Sequence, residues 1–111
     1  MKTLILAVGL LAVPAQAEVI ECPVKHQEAR LAGAGMYEGE QKEAELMGAP
    51  TRVPGGIDAE FGFNRSDVKW LACQYEGKVV RWFRVRAEVT RCDLEKREAA
   101  RGKVTAKLRC K

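Results

Sequence analysis

The residues with most chemistry to offer are four cysteines, Cys22, Cys73, Cys92 and Cys110. Thiols can carry redox exchange, hold zinc, attack a substrate or pair with one another, and spacing separates these uses. No CxxC occurs, which excludes a thioredoxin-type site. A zinc site would need three Cys with His26; Cys22-x3-His26 is a tolerable spacing, but the remaining Cys are scattered singly, unlike the paired thiols of structural zinc sites. An even count in a short chain with an export leader reads as a disulfide framework, for which four Cys allow three connectivities. We expect Cys73–Cys92, closing a hairpin-like segment, and Cys22–Cys110, tying the ends of the mature domain. Loop-entropy scaling puts those links at about 3 and 4.5 kcal/mol, values that matter where the core is small.

Other candidates for catalysis are thin. His26 is the only histidine, so no multi-histidine metal site is available. Ser66, the only serine, lies in Asn64-Arg65-Ser66-Asp67 without a G-x-S-x-G elbow and reads as a turn residue. Asp67 and the glutamates could supply a carboxylate pair for hydrolysis of an envelope glycan, yet no spacing singles out a pair. The sequence is read as non-catalytic, with no cofactor and no metal; a small glycan hydrolase is the alternative.

The elements that must position these residues follow from the chain's own punctuation. Its 111 residues allow one domain. Residues 1–17 read as a secretory signal peptide: Lys2, an apolar run from Leu4 to Val13, Pro14, then Ala15-Gln16-Ala17 as the cleavage triplet. Residues 18–111 are then a single exported domain, in the periplasm or secreted, with no later apolar span long enough to cross a membrane.

Within that domain the dominant signal is period two. Ile57, Ala59, Phe61 and Phe63 alternate with polar residues or glycine. Val68 to Tyr75 is apolar on both faces, as a strand covered on two sides would be. Val79 to Val89 alternates again, with a bulge or turn expected near Arg91, and Val104, Ala106, Leu108 and Cys110 alternate after a turn at Ala99–Gly102. Pro23 suits an edge strand or turn, Ala32-Gly33-Ala34-Gly35 is expected as a flexible connector, and Gly48-Ala49-Pro50 with Pro54-Gly55-Gly56 is expected to bracket a loop. Glu40 to Met47 suits a two-turn helix or an extended strand, and both stay open. The expected fold is mainly β, or α+β: a small antiparallel sheet, at most one short helix, and two disulfides.

Charge is unevenly divided. Residues 18–63 hold nine acids and four bases, net −5, whereas residues 64–111 hold six acids and fourteen bases, net +8. Arg81, Arg84, Arg86 and Arg91 cluster in the second half with Trp82 and Tyr75, the residue types favoured at binding contacts. These six form the candidate binding set, for a protein or an anionic envelope component. The competing reading is that basic strands pair with the acidic half inside the fold. Nucleic acid is disfavoured by the modest charge excess and the absence of a reading motif. Trp70 and Trp82 are expected to pack within the sheet.

The segment Trp70-Leu71-Ala72-Cys73-Gln74-Tyr75, with Cys22-Pro23 before it and Cys92 after it, resembles a family of small uncharacterised periplasmic proteins of Gram-negative bacteria. Where that family often carries Leu-Pro after the central strand, this chain has Val85-Arg86, and its extension to Cys110 is longer. The resemblance implies an address and a general form, and no catalytic residue. The combined reading is an exported binding module, with an inhibitor or immunity protein as its specific form.

Overall fold

The structure is a computed structural model that describes residues 17–111; the export leader expected over residues 1–17 lies outside them except for Ala17. Ten strands follow in chain order: β1 (Glu18–Glu21), β2 (Lys25–His26), β3 (Ala29–Glu38), β4 (Ala44–Glu45), β5 (Ala49–Val53), β6 (Gly56–Gly62), β7 (Lys69–Tyr75), β8 (Val79–Val85), β9 (Arg91–Glu98) and β10 (Val104–Cys110). They form two sheets, ordered β1-β10-β9-β6-β5 and β2-β3-β7-β8, with β4 beside the end of β3. Every pairing is antiparallel. The only helical piece among the described residues is a 3-10 turn, Ala100–Gly102.

Alternation puts one face of each sheet into a shared core. Leu31, Met36, Leu71 and Tyr75 from the second sheet meet Leu94, Ala106 and Leu108 from the first. The expected strands at 57–63, 68–75 and 104–110 are present as β6, β7 and β10 within a residue or two. Glu40–Met47 takes the extended option: Leu46 N–H donates to Met36 O at 2.9 Å, and β4 lies beside β3.

Three expectations are corrected. Ala32–Gly35 is no connector but the middle of β3. Glycine there raises the entropy cost of ordering, yet ladder bonds to β7 hold the segment, and Ala34 lies buried opposite Cys73. Ala32 is the extra residue of a bulge, since Leu31 faces Tyr75 and Gly33 faces Gln74. Residues 49–53 are not loop either: β5 and β6 make a hairpin, with Gly55 at φ 77° in its turn, and Pro50 is accommodated because β5 is an edge strand. Finally, the strand expected to reach Val89 ends at Val85. There the buried Lys69 ammonium donates to Ala87 O at 2.6 Å and Arg86 O at 3.5 Å, while Arg86 N–H donates to the Glu18 carboxylate at 2.9 Å. Those partners carry the chain out of β8 and into the first sheet.

The disulfide pairing also differs from expectation. Cys22 bonds Cys73, with Cα atoms 5.6 Å apart, and Cys92 bonds Cys110, at 4.1 Å. The hairpin-like closure expected for Cys73–Cys92 does not form, because Cys73 lies on β7 and Cys92 on β9, which belong to different sheets. Cys92 instead faces Cys110 directly in the β9–β10 register. Cys22 follows edge strand β1, with its N–H on Ala106 O, and its bond to Cys73 in β7 joins the two sheets through the core.

Candidate partner-binding face

The second sheet buries one face and turns the other outward. Lys69, Leu71, Cys73 and Tyr75 of β7 point inward, and Trp70, Ala72 and Gln74 take the other face, where the two larger side chains are partly exposed and Ala72 is fully covered. The register sets Tyr37 and Arg84 on either side of Trp70, Gly35 and Trp82 on either side of Ala72, and Gly33 and Val80 on either side of Gln74. Small residues Gly33, Gly35 and Ala72 thus floor the face, with aromatic groups at one end. A Cβ on Gly33 would stand 3.1 Å from Gln74 Oε1, so the side chain beside it needs that vacancy.

The aromatic groups are held in place. Trp70 Nε1 donates to Gly39 O at 2.9 Å. Tyr37 meets Trp82 edge-on, with centroids 5.1 Å apart and planes at 81°. The loop after β3 turns at Gly39, whose φ is +105° and whose added Cβ would collide with the Glu43 carboxylate. That turn sets Lys42 Nζ 4.2 Å from the Trp70 centroid and 5.5 Å from that of Trp82, and Arg84 lies 5.3 Å from Trp70. Two cations flanking a tryptophan are held by its ring quadrupole. Among the described residues neither Lys42 nor Arg84 makes an ion pair, so both charges remain available.

The six residues singled out in the sequence do not converge. Trp82 and Arg84 lie on the outer face. Arg81 is on β8 with the opposite phase, exposed, its guanidinium 4.9 Å from the Phe83 centroid. Arg86 lies past the strand end and pairs with Glu88 at 3.5 Å. Arg91 sits on the first sheet, 3.3 Å from Glu60. Tyr75 is buried, its hydroxyl donating to Pro23 O at 2.7 Å, and burial raises its pKa above the ordinary phenol range. Tyr37, Lys42 and Trp70 complete the face and were missed as binding candidates. The outward side of β7 carries a signal in Trp70, which the sequence reading assigns to packing within the sheet; Tyr37 joins only through the β3–β7 register, and Lys42 through the loop that follows β3.

The first sheet's outer face is charged and self-paired. Arg97 meets Asp58 at 2.8 Å, Arg91 meets Glu60, and Arg109 meets Glu95 at 3.5 Å. Pairing of basic strands with the acidic half is therefore real at β9 and β6, and among the described residues Arg81 and Arg84 take no part in it. Elsewhere, Glu38 is pushed above the usual carboxylate range by burial and by the adjacent Asp67 carboxyl, while burial lowers the Lys69 pKa. Among the described residues no cluster of three or more His, Cys, Asp or Glu is placed to hold a metal, and no helix is long and apolar enough to cross a membrane.

No curated protein and no solved structure matches the chain. A family model described as the type VI secretion system Tli immunity protein matches residues 25–111, from β2 through the last strand. That description fits a binding module acting as an immunity protein, implies a toxin as protein partner, and lends no support to the hydrolase alternative. With the match spanning all but the first edge strand of the fold, the chain belongs to the type VI secretion system Tli immunity protein family.

Proposed function

We propose that the protein is exported to the periplasm, where it binds and neutralises a type VI secretion toxin through the outer face of its second sheet, without catalysis. Family membership supports the toxin partner. The apolar leader at residues 4–13 and the two disulfides support the address, because such bonds persist in oxidising compartments. The observation that carries the choice of face is the cluster of Tyr37, Trp70 and Trp82 with Lys42 and Arg84, bearing two cations that have no carboxylate partner among the described residues. Tryptophan, tyrosine and arginine dominate binding energy at protein interfaces, and a cation already desolvated over a ring loses less water on meeting a carboxylate.

The test uses mature protein with both disulfides formed and the candidate effector encoded by the neighbouring gene. Trp82→Ala combined with Arg84→Ala weakens binding at least ~30-fold, since each residue type is worth ~2 kcal/mol at a buried contact. The same pair of substitutions leaves far-ultraviolet circular dichroism unchanged and removes protection of cells exposed to the toxin. Affinity within twofold of the unsubstituted protein would overturn this choice of face.

A further inference from the structure

Among the described residues strand β8 pairs with β7 on one side only, and its other edge is open. The remaining edges are poorer templates. β2 has two residues and β1 four, and β5 carries Pro50, which has no N–H to offer. β8 offers seven residues, Val79-Val80-Arg81-Trp82-Phe83-Arg84-Val85, with no proline and no glycine. Along that edge the only charges are two guanidinium groups, one on each face, and neither forms an ion pair among the described residues. By contrast Arg86, Arg91, Arg97 and Arg109 all have carboxylate partners.

From this combination, and resting on the toxin-binding function above, we infer that the toxin is captured by strand addition: an extended acidic segment of it pairs with the open edge of β8 and continues the second sheet. Main-chain bonds along an edge supply affinity, and side chains at alternate positions supply selectivity. On the outer face the added strand lies beside Val80, Trp82 and Arg84, contiguous with the Trp70 and Tyr37 cluster. On the other face it lies beside Arg81 and Phe83. A carboxylate opposite either guanidinium makes a favourable cross-strand pair, whereas a like charge there is unfavourable. A second copy of β8 is the poorer occupant, because the seam would gather four guanidinium groups and no carboxylate.

Hydrogen exchange on the complex with the neighbouring-gene effector reads this directly. Alternate β8 amides should exchange at least tenfold more slowly in the complex than in the free protein, with those of β5 unchanged, and the effector segment that gains protection should carry Asp or Glu. Arg81→Glu with Arg84→Glu should weaken the complex more than tenfold and leave both disulfides formed. Val80→Pro and, separately, Arg81→Pro provide a second reading. The one whose N–H faces away from β7 should keep the fold and lose the complex. Tight binding with unprotected β8 amides would overturn strand addition while leaving the toxin-binding function standing. A complex in which β8 is protected by a basic or neutral segment would overturn the acidic assignment. Concentration-dependent protection in the free protein, with a doubled mass, would assign the edge to a second copy and overturn the proposal. If the effector does not bind at all, both readings fall.

Discussion

Cys22 stands just past the edge of one sheet and is bonded to Cys73, completely buried at the centre of the other, so a single covalent link crosses the core between sheets that share no ladder. The second link, Cys92–Cys110, joins strands already paired.

The two links therefore differ in weight. Sequence separations of 51 and 18 residues correspond to about 4 and about 3 kcal/mol by loop-entropy scaling. Urea unfolding should show Cys22→Ala with Cys73→Ala losing more stability than Cys92→Ala with Cys110→Ala. Non-reducing peptide mapping should recover Cys22 with Cys73 and Cys92 with Cys110. Recovery of Cys73 with Cys92 would contradict the sheet order itself.

Lys69 gives a pH signature. Burial lowers its pKa below 10.5 in the folded state, so across the window between the two values the unfolded chain holds the proton more tightly. Stability from this group is therefore gained as pH rises through the folded value towards 10.5, and is lost as pH falls through it. Lys69→Met removes that dependence and leaves the Arg86 and Ala87 carbonyls without their donor. The stability of the original protein relative to the variant should increase as pH rises towards 10.5 in denaturant titrations. A flat difference would show that the ammonium is not held in the core.

Gly39 sets the position of Lys42. Alanine there has to take a φ of +105° and meets Glu43, at a cost of about 1–2 kcal/mol. The loop shift should move Lys42 away from Trp70, changing tryptophan emission and weakening toxin binding several-fold. Lys42→Ala should reproduce the binding loss without the stability loss. Equal stability losses in both variants would refute this division of roles.

Arg91 and Arg86 serve as controls. Both are exposed and already paired, to Glu60 and Glu88, and exposed pairs contribute about 0–1 kcal/mol. Arg91→Ala and Arg86→Ala should each leave toxin affinity within twofold in calorimetric titration, in contrast to Arg84→Ala. A tenfold loss at Arg91 would move the interface to the first sheet.

Much of the fold was legible because alternation is local. Ile57 to Phe63, Val68 to Tyr75 and Val104 to Cys110 each declare a face within a few residues. One missed stretch, Ala32–Gly35, is a strand whose small residues suit a bulge and a floor beside Gln74 and the aromatic groups, a use that has the same composition as a flexible connector; the other, β5, is an edge strand whose Pro50 reads locally as a turn. The candidate face was half legible: Trp82 and Arg84 share a strand phase, but Tyr37 and Lys42 enter from a strand and loop more than thirty residues earlier.

Residue order by itself determined the β class, the two faces of β6, β7 and β10, and the even cysteine count with its disulfide consequence. Those features depend on neighbours two positions apart or on counting. Sheet order, disulfide partners and the gathering of Tyr37, Lys42, Trp70, Trp82 and Arg84 were decided only by tertiary structure. Register and sheet membership arise from long-range pairing, and a strand's own pattern fixes which side it buries without naming the strand it lies beside.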